Sequence, residues 1–167
     1  MSIVERDFDC EDLHPIDIVE SLAEARSWDF DRIAEDQIAV AVEGSWRTYS
    51  VTLAWSARDE TLRLICAFDM KPPARRLSAL ANAMCLANDR CWTGSFVLWR
   101  DQNLMGYRYG LNLAGGAVAS SAQINDMVRC AVAACERFYP AFQLVAWRGE
   151  TPEKALEMAI AEAYGRA

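Results

Sequence analysis

Residues 49–68 read YSVTLAWSARDETLRLICAF, and this stretch decides the fold class. Large apolar residues occupy every second position on both sides of polar residues 56–60, at Tyr49, Val51, Leu53 and Trp55 and again at Leu62, Leu64, Cys66 and Phe68. Alternation with a period of two is typical of strands that bury one face. The stretch therefore predicts two antiparallel strands of a sheet.

The two-residue alternation also occurs upstream of this hairpin, where it predicts further strands of the sheet. A helix is predicted before these strands. Residues 28–42 alternate in the same way up to the turn at Gly44 and Ser45, which adds strands. Pro15 suits the first turn of a helix, and an apolar face follows at helical spacing (Ile16, Val19, Leu22 and Ala23). We expect residues 1–12 to form a flexible acidic N-terminus.

After residue 68, segments with helical spacing alternate with segments that have strand spacing. Apolar residues at helical spacing predict a helix over 75–89, and a hairpin is predicted from residues 96–100 and 105–113. A long helix follows Gly116, with a kink expected at Pro140, and Thr151 caps a last helix. The order α-β-β-β(β)-α-β-β-α-α predicts an α+β fold in which helices pack on one face of an antiparallel sheet.

Composition restricts the classes of partner. The 167 residues are 53% hydrophobic and 25% charged, with a net charge of −7, which argues against nucleic acid or an anionic membrane as a partner. The acidic residues are concentrated in residues 1–36, which would steer a basic partner. No apolar run is long enough to span a membrane and the N-terminus lacks the features of a signal peptide, so a cytoplasmic location is predicted.

Few residues could support catalysis or bind a metal. His14 is the only histidine, and its place before Pro15 indicates a polar residue at a helix start rather than a catalytic base. The six cysteines lack the paired spacing of zinc ligands and are interpreted as free, mostly buried thiols. The glycines of 110–116 match no phosphate-binding motif. We therefore expect no metal, no cofactor and no enzymatic activity.

Aromatic residues on the predicted strands are the candidates for binding. One covered sheet face has limited room for large rings, so some of these side chains are expected at an interface. The candidates are Trp46, Trp55, Trp99, Tyr107 and Tyr109. The alternative is that both faces of the sheet are covered, the second by a helix or by another subunit.

The helix LSALANAMCLAN at 77–88, followed by the hairpin at 96–113, resembles the YbjN family. That family is described as bacterial sensory transduction regulators with a type III secretion chaperone-like fold. The resemblance covers 13–138 as one α+β domain and leaves 139–167 as a helical extension. It implies frequent dimerisation and the binding of peptide or protein segments in place of catalysis.

Three functional hypotheses follow. The first is a non-enzymatic chaperone-like adaptor or regulator, homodimeric, that binds a segment of an unidentified partner protein. The second is a thiol-dependent regulator or enzyme that uses Cys85 or Cys91, which lie within and just beyond the helix at 75–89. The third is a structural subunit whose aromatic surface is permanently buried by a fixed partner.

Overall fold

The computed structural model describes residues 13–45, 47–68 and 70–164, without the side chains of 162–164. Residues 1–12 and Trp46 therefore lie outside the described residues, together with the predictions made for them. The helices and strands within these ranges are α1 (Pro15–Ala25), β1 (Asp29–Ala34), β2 (Gln37–Glu43), β3 (Thr48–Ser56), β4 (Thr61–Phe68), α2 (Leu77–Asn88), β5 (Ser95–Trp99), β6 (Leu104–Asn112), α3 (Ser121–Trp147) and α4 (Pro152–Tyr164). The predicted order is confirmed, with four strands in the first group.

The strands form one antiparallel sheet in the order β1-β2-β3-β4-β6-β5. The hairpin predicted from residues 49–68 is formed by β3 and β4, in which Val51 faces Cys66 and Leu53 faces Leu64. Strand β6 then lies between β4 and β5, so β5 and β1 are the edge strands.

One face of the sheet carries the core. Helices α1, α2 and α3 contact the sheet, and α4 packs on α2 and α3. Phe96 on β5 lies at the centre of an aromatic cluster, with ring centroids 4.9 Å from Phe142 and 5.4 Å from Tyr107. The buried apolar residues of strands and helices form a single cluster beneath these helices. The predicted α+β fold with helices on one face is therefore confirmed.

The helix ends follow from their capping residues. The Nδ1 atom of His14 accepts a hydrogen bond from the backbone N–H of Ile16 at 3.2 Å, which confirms the interpretation of His14 as a helix-start residue. Ser120 and Gln123 form a capping box at the start of α3. Pro140 lies inside α3, and the boundary expected between 138 and 139 also falls within this helix. None of the described helices is long and apolar enough to cross a membrane.

Candidate partner-binding site

The structure distributes the predicted aromatic residues over the two faces of the sheet. Tyr107 is 1% exposed and belongs to the core. Burial raises the pKa of its phenol to about 12, and its hydroxyl hydrogen-bonds Thr93. Trp55 and Tyr109 are half-buried on the same covered face, because they pair with buried Leu62 and Leu64. Tyr107 therefore has no surface to offer a partner, and the other two belong to the helix-covered side.

Trp99 is the one described candidate that lies on the opposite face of the sheet. A Cβ atom built on Gly106 would lie 3.1 Å from Cζ3 of the Trp99 indole, so the ring lies across the strand beside it. Ile65 on β4 points to the same side and is 38% exposed. We call this surface the open face, defined by the outward side chains of β4, β6 and β5: Arg63, Ile65, Val97, Trp99 and Arg108. None of the described helices covers it.

A groove of about 580 Å³ runs along the open face between Trp99 and the start of β4. Arg63 and Arg108 line it and are exposed. Arg63 is paired with Asp59, whereas the guanidinium of Arg108 makes no hydrogen bond or ion pair with the described residues. The groove therefore combines apolar surface with an available guanidinium.

The far end of the same sheet face has the opposite charge. Asp29 and Asp31 on β1 are exposed and point to the outer side, because their neighbours Phe30 and Arg32 pair with buried Val40 and Ile38. Arg32 is held on the helix side by Asp17 and Glu20, each at 2.7 Å. The sheet thus presents an acidic end at β1 and a basic end at β4 and β6.

Asn88 closes part of the free edge of the sheet. Its Nδ2 donates to the backbone oxygen of Phe96 at 3.1 Å, and its Oδ1 accepts from the Phe96 N–H at 2.7 Å. These are the groups through which an added strand would pair with β5. A partner strand at this edge would have to displace Asn88, which favours docking on the open face over strand addition.

A second groove, of about 400 Å³, lies between α3 and α4. Trp147 and Met158, which are 49% and 42% exposed, line it together with Pro140 and Leu144. The groove is partly polar, because Gln143 and Arg148 also line it, and it lies on the helix layer, away from the sheet surface that carries Trp99.

The candidate thiols lie in different environments. Cys85 is exposed on α2, whereas Cys91 is half-buried and its thiol lies 3.4 Å from the backbone oxygen of Ala87. Burial raises the pKa of the Cys91 thiol, although the charge of Arg137 opposes this. No three histidine, cysteine or acidic side chains come together as a metal site in the part of the chain that is described.

We predict that alkylation at pH 7 labels Cys85 first and Cys91 more slowly. Cys85 is accessible, and the raised pKa of Cys91 lowers its thiolate fraction. Mass spectrometry over time gives both rates, and the Cys85→Ser variant serves as the assignment control. Reaction of Cys91 faster than free cysteine would instead favour the thiol-dependent hypothesis.

Sequence reasoning missed Ile65 and Arg108. The sequence could have identified Ile65 as an exposed apolar residue. It lies between Leu64 and Cys66, at a position where the alternation of a half-buried strand predicts a polar residue. No local pattern in the sequence identifies Arg108 as part of the groove, because its neighbours there depend on the pairing of β6 with both β4 and β5.

Comparison with known proteins identifies relatives of this chain. The model of the YbjN family, described as "Putative bacterial sensory transduction regulator", matches residues 15–144. A solved structure titled "Crystal structure of YbjN, a putative transcription regulator from E. coli" is similar, with a TM-score of 0.52 and 14% identity over 90% of this chain and 92% of that one. At that identity the likeness shows the fold alone. No curated protein matches the sequence significantly.

Proposed function

The chain belongs to the YbjN family, and we propose that it is a non-enzymatic regulatory protein that binds a segment of a partner polypeptide on its open face. The observation that carries the proposal is the uncovered sheet surface on which Ile65 and Trp99 lie beside Arg108. Apolar side chains that share a groove rimmed by polar residues are typical of protein-binding surfaces.

The groove suggests what the segment contains. Trp and Arg are the residue types most often found at binding hot spots, and Trp99 and Arg108 both line this groove. An apolar side chain of the partner would pack against Trp99 and Ile65, and an acidic one would pair with Arg108. A basic residue further along the segment would suit Asp29 and Asp31.

The acidic side chains at β1 give the predicted steering of a basic partner a structural basis. The two ends of the sheet face have opposite charges, so a segment with charges of both signs would bind in one direction. Steering of this kind weakens as salt screens the charges over about 10 Å at 0.1 M.

The structural-subunit hypothesis makes a different demand of the open face. A permanently covered structural subunit would expose a broad apolar surface when alone, whereas the apolar part of the open face is flanked by Arg63 and Arg108. This favours a reversible partner.

A homodimer remains a prediction from the family resemblance, and light scattering that gives about twice the chain mass of 18.7 kDa would support it.

Selection from a displayed library of random peptides tests the proposed function. We expect wild-type protein to enrich a family of peptides, and Ile65→Asp to weaken the best of them by about tenfold or more. The aspartate would remove the apolar contact, and it would pair with Arg108, which lies directly opposite on β6 and would no longer be available to the peptide. Ile33→Asp is the matched control, because Ile33 is 55% exposed on β1 outside the groove, where a further acid beside Asp31 does not weaken binding of a basic residue.

Two results would oppose the proposal. One is a selection that enriches no peptide for the wild-type protein. The other is a selected peptide that binds Ile65→Asp as tightly as it binds Ile33→Asp and the wild type, with all three proteins folded by circular dichroism.

A further inference from the structure

A small pocket of about 220 Å³ lies between α3 and the loop that follows α2. We call it the Arg137 pocket. One stripe of α3 forms its wall, at Cys130, Ala133, Ala134, Arg137 and Phe138, and residues 90–93 form its rim. Its lining includes two arginines and no acidic residue.

One hydrogen-bond donor of the Arg137 guanidinium lacks an acceptor among the described residues. Its Nε atom is buried and has no hydrogen-bond partner among the described residues. The guanidinium carbon lies 5.1 Å from the ring centroid of Phe138, so the aromatic face supports the charge but accepts no conventional hydrogen bond. A buried donor on a permanently charged group is costly unless an acceptor reaches it. The missing element is an acceptor that carries negative charge.

The rim of the pocket provides a second, independent indication of a ligand. Trp92 is 97% exposed, the most exposed of the large hydrophobic side chains in the described part of the chain. Arg90 stands next to the α2 terminus, where its Nη1 donates to the backbone oxygen of Leu86 at 3.1 Å. A tryptophan in this position gains stability only when something packs on it.

The Arg137 pocket is close to the groove of the open face. Thr93 lines both, on the short connection that leads into β5. A polypeptide segment that passes the start of β5 can therefore reach Arg108 on one side of the sheet and Arg137 on the other.

We propose that the Arg137 pocket binds a carboxylate, supplied by an acidic side chain of the partner segment, with Trp92 packing on the segment beside it. The proposal rests on the proposed function for the source of the carboxylate. Arginine and a carboxylate form two parallel N–H···O bonds. The Nε of Arg137 is shielded in the free protein, so binding turns the guanidinium until the Nε becomes one of the two donors. The pocket then adds a requirement for an acidic residue at a fixed place in the segment.

Titration with a small carboxylate tests this site without the partner. The probe is N-acetyl-glutamate amide, and the readout is the 15N–1H resonance of the Arg137 Nε group in the wild-type protein. We expect a saturable shift with a Kd of about 1–10 mM, at the weak end of the affinity scale, because the probe supplies one charged contact. N-acetyl-glutamine amide, which has the same shape without the charge, should produce no saturable shift.

Matched variants localise the effect. Arg137→Gln should abolish the shifts that the probe causes in residues 90–93, whereas Arg129→Gln, an exposed arginine on α3 outside this pocket, should leave them unchanged. No shift of the Arg137 resonance, or an equal shift with the amide probe, would overturn the proposal. Tighter binding of inorganic phosphate than of the carboxylate would also overturn it.

The carboxylate titration and the peptide selection can fail independently of each other. If the glutamate probe binds and no peptide depends on Ile65, the carboxylate site stands and the open face is not the partner site. If peptides depend on Ile65 and the probe leaves Arg137 unchanged, the proposed function stands and the carboxylate site is wrong.

Discussion

Replacing Phe96 with alanine will lower the free energy of unfolding by about 3–5 kcal/mol, the cost typical of removing a buried phenylalanine. Phe96 is 3% exposed, and its ring contacts four others, with centroids 4.9 Å from Phe142, 5.4 Å from Tyr107, 5.7 Å from Phe138 and 6.2 Å from Phe68. These rings come from β4, β6 and α3, so the cavity would open where strands and helix meet. Urea unfolding followed by circular dichroism measures the loss.

Phe30→Ala is the control for this variant. Phe30 is the same residue type on the other edge strand, faces the same side of the sheet and is only half-buried. We expect its loss of stability to be clearly smaller than that of Phe96→Ala. Equal losses for the two variants would mean that the aromatic cluster around Phe96 is not the centre of the core.

Gly94→Ala is expected to destabilise the protein by about 3 kcal/mol, at the upper end of overpacking effects. A Cβ atom at this position would lie 2.3 Å from the Tyr107 hydroxyl and 2.7 Å from the backbone oxygen of Arg108. Tyr107 is buried and hydrogen-bonds Thr93, so its ring cannot swing into solvent. The pair β5–β6 would have to separate locally to accept the methyl group.

Gly110→Ala provides the comparison. Gly110 is exposed on β6, and the nearest atom to an added Cβ is the Thr61 Cγ2 at 3.3 Å, on a side chain at the surface. Thermal unfolding should place Gly110→Ala within about 1 kcal/mol of the wild type, as expected where glycine is not required. A Gly94→Ala protein as stable as Gly110→Ala would contradict the packing described around Tyr107.

The sequence was sufficient to predict the sheet and its single covered face. The alternation in 49–68 depends only on the two-residue period of a strand, and it places Leu53 and Leu64 on the same side, as β3 and β4 do in the structure. The insertion of β6 between β4 and β5 depends on contacts distant in sequence, and no local pattern encodes it.

The candidate site was only partly predictable for the same reason. Tyr107 and Tyr109 were expected at an interface because of their residue type, but strand pairing places them on the helix-covered face. Trp99 was also expected at an interface; strand pairing places it on the open face, and its contact with a partner stays a prediction. The Arg137 pocket joins α3 to a loop about 45 residues earlier, a proximity that only tertiary packing creates.

Asn88 belongs to the helix that resembles the YbjN family, and it also protects an edge of the sheet. In the sequence it is the last asparagine of the helix that resembles the YbjN family. In the structure it pairs with both backbone groups of Phe96 and covers part of an edge that could otherwise recruit a strand. Binding on the face of the sheet is thereby favoured over strand addition at its edge.

Mapping the site where a selected peptide binds tests most directly whether the open face is the partner site. Chemical shifts of the 15N- and methyl-labelled protein are recorded with and without the tightest peptide from the displayed library. We predict the largest changes at Ile65, Val97 and Arg108, on the open face. Changes confined to Trp147 and Met158 in the groove between α3 and α4 would contradict the account.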